Sequence, residues 1–150
     1  MDDLHAPFRP RLARLVAWAV AVALLVFMIG IAVLLPAAVP TGTVALGDRI
    51  GIAAVGVLAA WFLSRQATVR AVPEADGLVV RNLLVTRKVA WAEIVSVRFG
   101  QGRPWVQLDL ADGDTLAVMG IQSSDGPRGT VEASRLATLV ALHSATDQDD

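Results

Sequence analysis

The chain contains no cysteine. That removes disulfides, thiolate nucleophiles and zinc–thiolate sites at once. Histidine is nearly absent: His5 lies in the N-terminal head and His143 near the end of the sequence. A His-paired metal site is therefore not expected. No charge of one sign dominates, since 13 basic and 14 acidic side chains give a net charge of −1. The imbalance is local and mild, five basic against three acidic over residues 1–65 and eight against eleven over residues 66–150. A nucleic-acid partner is not implied. Catalytic patterns are wanting as well. Ser123-Ser124-Asp125 has no nucleophile-elbow context, and Asp109, Asp112 and Asp114 miss the spacing of a calcium loop. Gly100-Gln101-Gly102 is too short for a dinucleotide fingerprint. No enzyme activity, cofactor or metal is expected.

What the chain has is apolar sequence, 55% of its 150 residues. Leu15–Leu35 is an uncharged run of 21 residues. As a helix it would extend ~31 Å, the thickness of a bilayer's hydrocarbon core. Pro36 follows and is expected to end it. A second span is read from Val44 to Ser64, although Asp48 and Arg49 fall within it. Adjacent opposite charges near a helix end reach the interface by snorkelling, so the pair is read as interfacial rather than as a relay. Trp18 and Trp61 suit the headgroup region at one face.

Arg9, Arg11 and Arg14 precede the first span, and Arg65 and Arg70 follow the second. Positive residues stay inside, which places both termini in the cytoplasm and makes the chain a multi-pass plasma-membrane protein. The head opens Asp2-Asp3 and the apolar run exceeds an ordinary signal core, so a retained span is expected rather than a cleaved leader. Small residues recur at spacing four: Ala17/Ala21, Ala19/Ala23, Gly47/Gly51 and Gly56/Ala60. They admit close approach between spans or between copies of the chain, so a homo-oligomer is one expectation. The organisation is then a loose head over residues 1–14, a transmembrane hairpin over 15–64 (about 15–35 and 44–64), a small soluble domain over 67–144, and an acidic tail over 145–150.

From Ala67 the periodicity changes to two. Strands are expected at Thr68–Val72, Leu78–Asn82, Val85–Trp91, Val95–Phe99, Trp105–Leu110 and Thr115–Ile121. Asp76-Gly77 and Asp112-Gly113 supply hairpin turns, each Gly at a positive-φ position. Ser123–Gly129 reads as a polar loop. Thr130 can cap a helix from Val131 to about His143. On it Leu136, Leu139, Val140 and His143 share one face.

This order resembles a pleckstrin-homology (PH) fold, successive antiparallel hairpins closed by a C-terminal helix. More narrowly, the chain resembles small actinobacterial membrane proteins with two N-terminal spans and a bacterial PH-like domain, the "low molecular weight protein antigen 6" type. The residues carrying the resemblance are Gly77–Leu84, Val89–Ile94 with its Trp91-x-Glu93-Ile94 element, Val97–Phe99, Pro104-Trp105 and Leu108–Gly113. It covers about Ala67 to His143, with the spans in register before it. The implied fold is α+β or mainly β, a PH-like antiparallel barrel with a C-terminal helix, preceded by a two-helix transmembrane hairpin. A complete PH domain has seven strands. Six are placed here, and the seventh either lies within Leu83–Val89 or is absent.

The resemblance implies no established catalysis, and fold alone does not fix function. PH domains that bind phosphoinositides use a basic first hairpin, whereas Pro73–Gly77 is acidic at two of five positions. The candidate interaction residues are Arg87, Lys88, Arg103 and Trp105. Trp91 is expected in the core, and Glu93 is expected to brace the turn after it. The function expected is a non-enzymatic, membrane-anchored interaction or scaffold module at the cytoplasmic face. An edge strand or the groove beside the last helix would receive a protein or peptide. The alternatives are anionic lipid headgroup binding, or service as an accessory subunit of a transport or envelope complex.

Overall fold

The structure is a computed structural model of the chain. It describes residues 4–39, 44–100 and 102–146. Two compact units are present: residues 14–67, and residues 1–13 together with 68–150.

The first unit consists of α1 (Leu12–Ala38) and α2 (Leu46–Ala67). Both are long and apolar enough to cross a membrane, at 27 and 22 residues. α1 runs beyond its expected limits at both ends, and α2 starts two residues later and ends three residues later than expected. Pro36 does not end α1 but sits inside its last turn. A proline there removes the hydrogen bond that its N–H would give to the carbonyl four residues back, Ala32. Arg49 supplies the missing donor, its Nε lying 2.8 Å from Ala32 O. Arg49 is therefore a specific partner of α1, not only an interfacial charge. The helices approach closely at Gly56, where an added Cβ would meet Met28 Cβ at 2.7 Å. Ala17 and Ala21 are buried, while Ala19, Ala23, Gly47 and Gly51 are exposed.

Among the described residues the second unit has six strands: β1 (Arg70–Glu74), β2 (Gly77–Arg81), β3 (Thr86–Ala90), β4 (Ile94–Arg98), β5 (Trp105–Leu110) and β6 (Thr115–Gln122). They form two antiparallel sheets, in the orders β1-β2-β3 and β4-β5-β6. No seventh strand occurs among the described residues. The chain between β2 and β3 makes a turn instead, closed by Asn82 N–H donating to Val85 O at 2.9 Å. The final helix, α3, spans Pro127–Thr146. It begins one turn earlier than Thr130 would cap it. Pro127 has the φ a first turn needs, and Gly126 at φ +59° turns the chain into it. Residues 147–150 of the expected acidic tail lie outside the described residues, and residues 145–146 belong to α3.

Alternation decides which side chains enter the core. Ala71, Leu78, Val80, Val89, Val106, Leu108 and Val118 point inward and are all but fully buried. Leu136, Leu139 and Val140 of α3 join them, as the helical spacing predicted. One position departs from expectation. Gly77 is not a positive-φ residue. It is a strand residue facing β3, where a Cβ would fall 2.2 Å from Val89 O. Glycine is needed there for close approach, not for the turn. Gly113, at φ +86°, does serve the turn.

The head is the larger correction. Its described part is not loose, because Phe8 is fully buried in the core. Phe8 N–H donates to Ala71 O at 2.8 Å, and Ala71 N–H donates to Phe8 O at 3.0 Å. The Arg135 guanidinium lies 3.9 Å from the centroid of the Phe8 ring and also donates to Leu4 O. The Asp125 carboxylate accepts from the backbone N–H groups of Arg11 and Leu12 at 3.1 and 3.0 Å. These N–H groups fall where a helix begins and have no partner within it. A single Pro-flanked Phe in a polar stretch carries no periodicity, so nothing local marks it as core.

Candidate functional site

Arg87 and Lys88 are neighbours on β3 but face opposite sides of the sheet. Arg87 reaches the β5–β6 hairpin, pairing with Asp112 at 3.4 Å and Asp114 at 3.5 Å. Lys88 reaches the β1–β2 hairpin, pairing with Glu74 at 2.9 Å and Asp76 at 3.0 Å. The hydrogen bonds that Lys88 donates to Glu74 and then to Asp76 raise its pKa above the ordinary value. The Lys88 ammonium in turn lowers that of Asp76. Both bases thus spend their charge inside the domain.

Arg103 lies in the β4–β5 loop, its Nε donating to Gln107 Oε1 at 3.1 Å. Trp105 begins β5 and is half-buried, opposite Gln122. Five residue steps, ~17 Å along a strand, separate Trp105 from the Leu110 end of β5. The Arg87 cluster sits at that far end. The four candidates therefore do not converge on one site: Arg103 and Trp105 share one end of the barrel, and Arg87 belongs to the other.

Trp91 is buried as expected. Its Nε1–H donates to Glu74 O at 3.0 Å, and its ring stacks on His143 with centroids 4.6 Å apart. Glu93 braces this corner by accepting from Ala90 N–H at 2.8 Å. Because the head is packed in place, the His5 ring meets His143 edge-on at 6.3 Å. The two histidines that sequence separates are thus brought together. Among the described residues no group of three or more His, Cys, Asp or Glu could hold a metal.

On the outer face of β4 and β5 a further carboxylate is held. Asp109 accepts from Ser96 Oγ at 2.5 Å and pairs with Arg98. The Ser96 hydroxyl, followed by the Arg98 charge, lowers the Asp109 pKa below its ordinary value.

One pairing escaped notice in the sequence. Arg70 and Arg81 are directly opposed on β1 and β2. Both alternate with inward residues and so lie on the outer face of the first sheet. The signal was available once the first hairpin's register was fixed, since Glu74 opposite Gly77 dictates Arg70 opposite Arg81.

Two three-stranded antiparallel sheets closed by a C-terminal helix define a PH-like domain, here in one chain with two helices of membrane length. The chain belongs to the bacterial PH domain family, whose pattern it matches over residues 68–138. It is 31% identical over 142 residues to an uncharacterized protein of Mycobacterium tuberculosis, a match covering 95% of this chain and 92% of the relative. An uncharacterized protein of Mycobacterium bovis matches to the same extent. No solved structure matches the chain.

Proposed function

We propose that this protein is a non-enzymatic scaffold at the cytoplasmic face of the plasma membrane, whose PH-like domain recruits an extended segment of another protein along β4. The observation that carries the reading is the state of the sheet edges. β1 is bridged by Phe8, and β6 closes on it at Gly120, where a Cβ would meet Ala71 N and Phe8 O at 2.9 Å. β3 is tied to the β5–β6 hairpin through Arg87. Among the described residues β4 pairs only with β5, and α3 packs alongside it. A strand paired on one side presents free backbone groups to an incoming strand, and a neighbouring helix makes that edge a groove. A bulge at Val95 releases that residue from the ladder, and its side chain is 67% exposed.

The two-span arrangement is supported by Phe8. Residues 4–11 are built into the same domain as residues 69–144, which supports an even number of crossings by the chain between them. Fixing the domain at a membrane raises its local concentration near other membrane proteins, so a modest affinity suffices. No observation favours headgroup binding through Arg87, Lys88 and Arg103, whose groups are engaged within the domain.

The test is site-specific photo-crosslinking in the native membrane from position 95 of the full chain. A discrete adduct at 95 that is absent from position 75, in the β1–β2 hairpin, is expected. Equal labelling at both positions, or none at 95, would reject β4 as the recruiting edge.

A further inference from the structure

We propose that the Arg70–Arg81 pair and the Leu84–Val85 tip together form a contact for an anionic lipid surface, separate from β4 and from the candidate bases on β3. Like charges directly opposite in an antiparallel pair repel, with Cβ atoms only ~5 Å apart. Elsewhere on this domain basic side chains on strands are answered: Lys88 by Glu74 and Asp76, Arg87 by Asp112 and Asp114, Arg98 by Asp109. Among the described residues, Arg70 and Arg81 have no carboxylate partner. Two opposed, unanswered guanidiniums are a cost to the isolated fold that a phosphate-rich surface would relieve.

The β2–β3 turn projects from the same end of this sheet, because Arg81 lies opposite both Arg70 and Thr86. At its tip Leu84 is 75% exposed and Val85 63%. Leu84 is the most exposed large apolar side chain among the described residues, above any on α1 or α2. The tip is held rather than slack. Asn82 Nδ2 donates to Ala117 O at 2.7 Å, and Asn82 Oδ1 accepts from Met119 N–H at 3.2 Å. A braced turn that presents leucine and valine outward, beside two free arginines, matches a headgroup–acyl boundary, where apolar tips insert and bases meet phosphate. Sequence supplies the last argument: only Thr68 and Val69 separate Arg70 from the end of α2. Asp112 and Asp114, on the β5–β6 hairpin, are already paired with Arg87.

The absence of cysteine allows a direct test on the full chain. A single nitroxide is placed at Leu84→Cys, or at Ala92→Cys at the opposite end of the sheet, in nanodiscs of zwitterionic or of phosphatidylglycerol-containing lipid. Collision with oxygen should exceed collision with a water-soluble nickel chelate at 84 in the anionic discs, and not at 92. Each arginine near an anionic surface contributes about fivefold to the docking equilibrium, so Arg70→Gln with Arg81→Gln should return position 84 to water. Arg70→Lys with Arg81→Lys should keep it docked. A water-exposed label at 84 in both lipids overturns the proposal, as does docking that the double Gln variant leaves unchanged.

Discussion

Arg49 Nε donates to Ala32 O, the one carbonyl in α1 that Pro36 deprives of its helical partner. In hydrocarbon an unsatisfied backbone group is costly, and a proline is tolerated in a spanning helix where a neighbour re-satisfies it. The charged residue that makes the second span look poor is therefore what lets the first run to Ala38.

This pairing predicts a non-additive cycle. Arg49→Met alone leaves Ala32 O without a donor and should cost about 1–3 kcal/mol of helix–helix stability. In a Pro36→Ala background the restored N–H takes over, and Arg49→Met should cost much less. Detergent-driven unfolding of the full chain measures both. Equal losses in the two backgrounds would separate Arg49 from Pro36.

Phe8→Ala should destabilise the PH-like domain by about 3–5 kcal/mol, the range for emptying a buried aromatic site. A head lying loosely on the surface would register almost nothing. Thermal unfolding followed by tryptophan fluorescence distinguishes the two, since Trp91 is in the same core.

Gly77→Ala should cost about 1–3 kcal/mol through overpacking against Val89 O. Gly113→Ala should cost for a different reason, a side chain forced to positive φ. Gly113, like Gly100, has open space around it, so Ala at either position reports strain without the clash met at Gly77, by the same unfolding measurement.

Asp109 has a folded pKa below its ordinary value of 3.8. A depressed carboxylate stabilises the fold above its unfolded pKa and loses that contribution as pH falls through the folded one. Asp76 has the same sign, while Lys88, with a raised pKa, loses its contribution only as pH rises beyond its ordinary 10.5. Asp109→Asn should flatten the loss of stability below about pH 4 and leave the neutral plateau's slope unchanged. An acid limb identical to that of the parent chain would count against the Ser96–Asp109–Arg98 cluster.

Periodicity made most of the architecture legible. The alternation of Trp105–Leu110 gave β5 to the residue, and the face shared by Leu136, Leu139 and Val140 gave α3 its buried side. Two of the misses share a cause, a partner distant in sequence. Phe8 enters the core through Ala71. Arg49 answers a vacancy at Ala32. The start of α3 at Pro127 rather than after Thr130 has a local cause, the turn at Gly126 followed by proline. Gly77 was read as a turn residue from the Asp-Gly pair, yet close packing against β3 demands it. The candidate bases were chosen for charge alone. What they pair with, and that Arg87 and Arg103 sit at opposite ends of β5, depends on a strand register that charge does not reveal.

The measurement closest to the central claim is cysteine accessibility in intact cells, for which this cysteine-free chain is a clean background. Thr41→Cys, between the two helices, and Ala92→Cys, an exposed position of the PH-like domain, are exposed in turn to a membrane-impermeant maleimide. The expected result is labelling at 41 from outside and labelling at 92 only after lysis. Labelling of both from outside would place the domain beyond the membrane and contradict cytoplasmic anchoring.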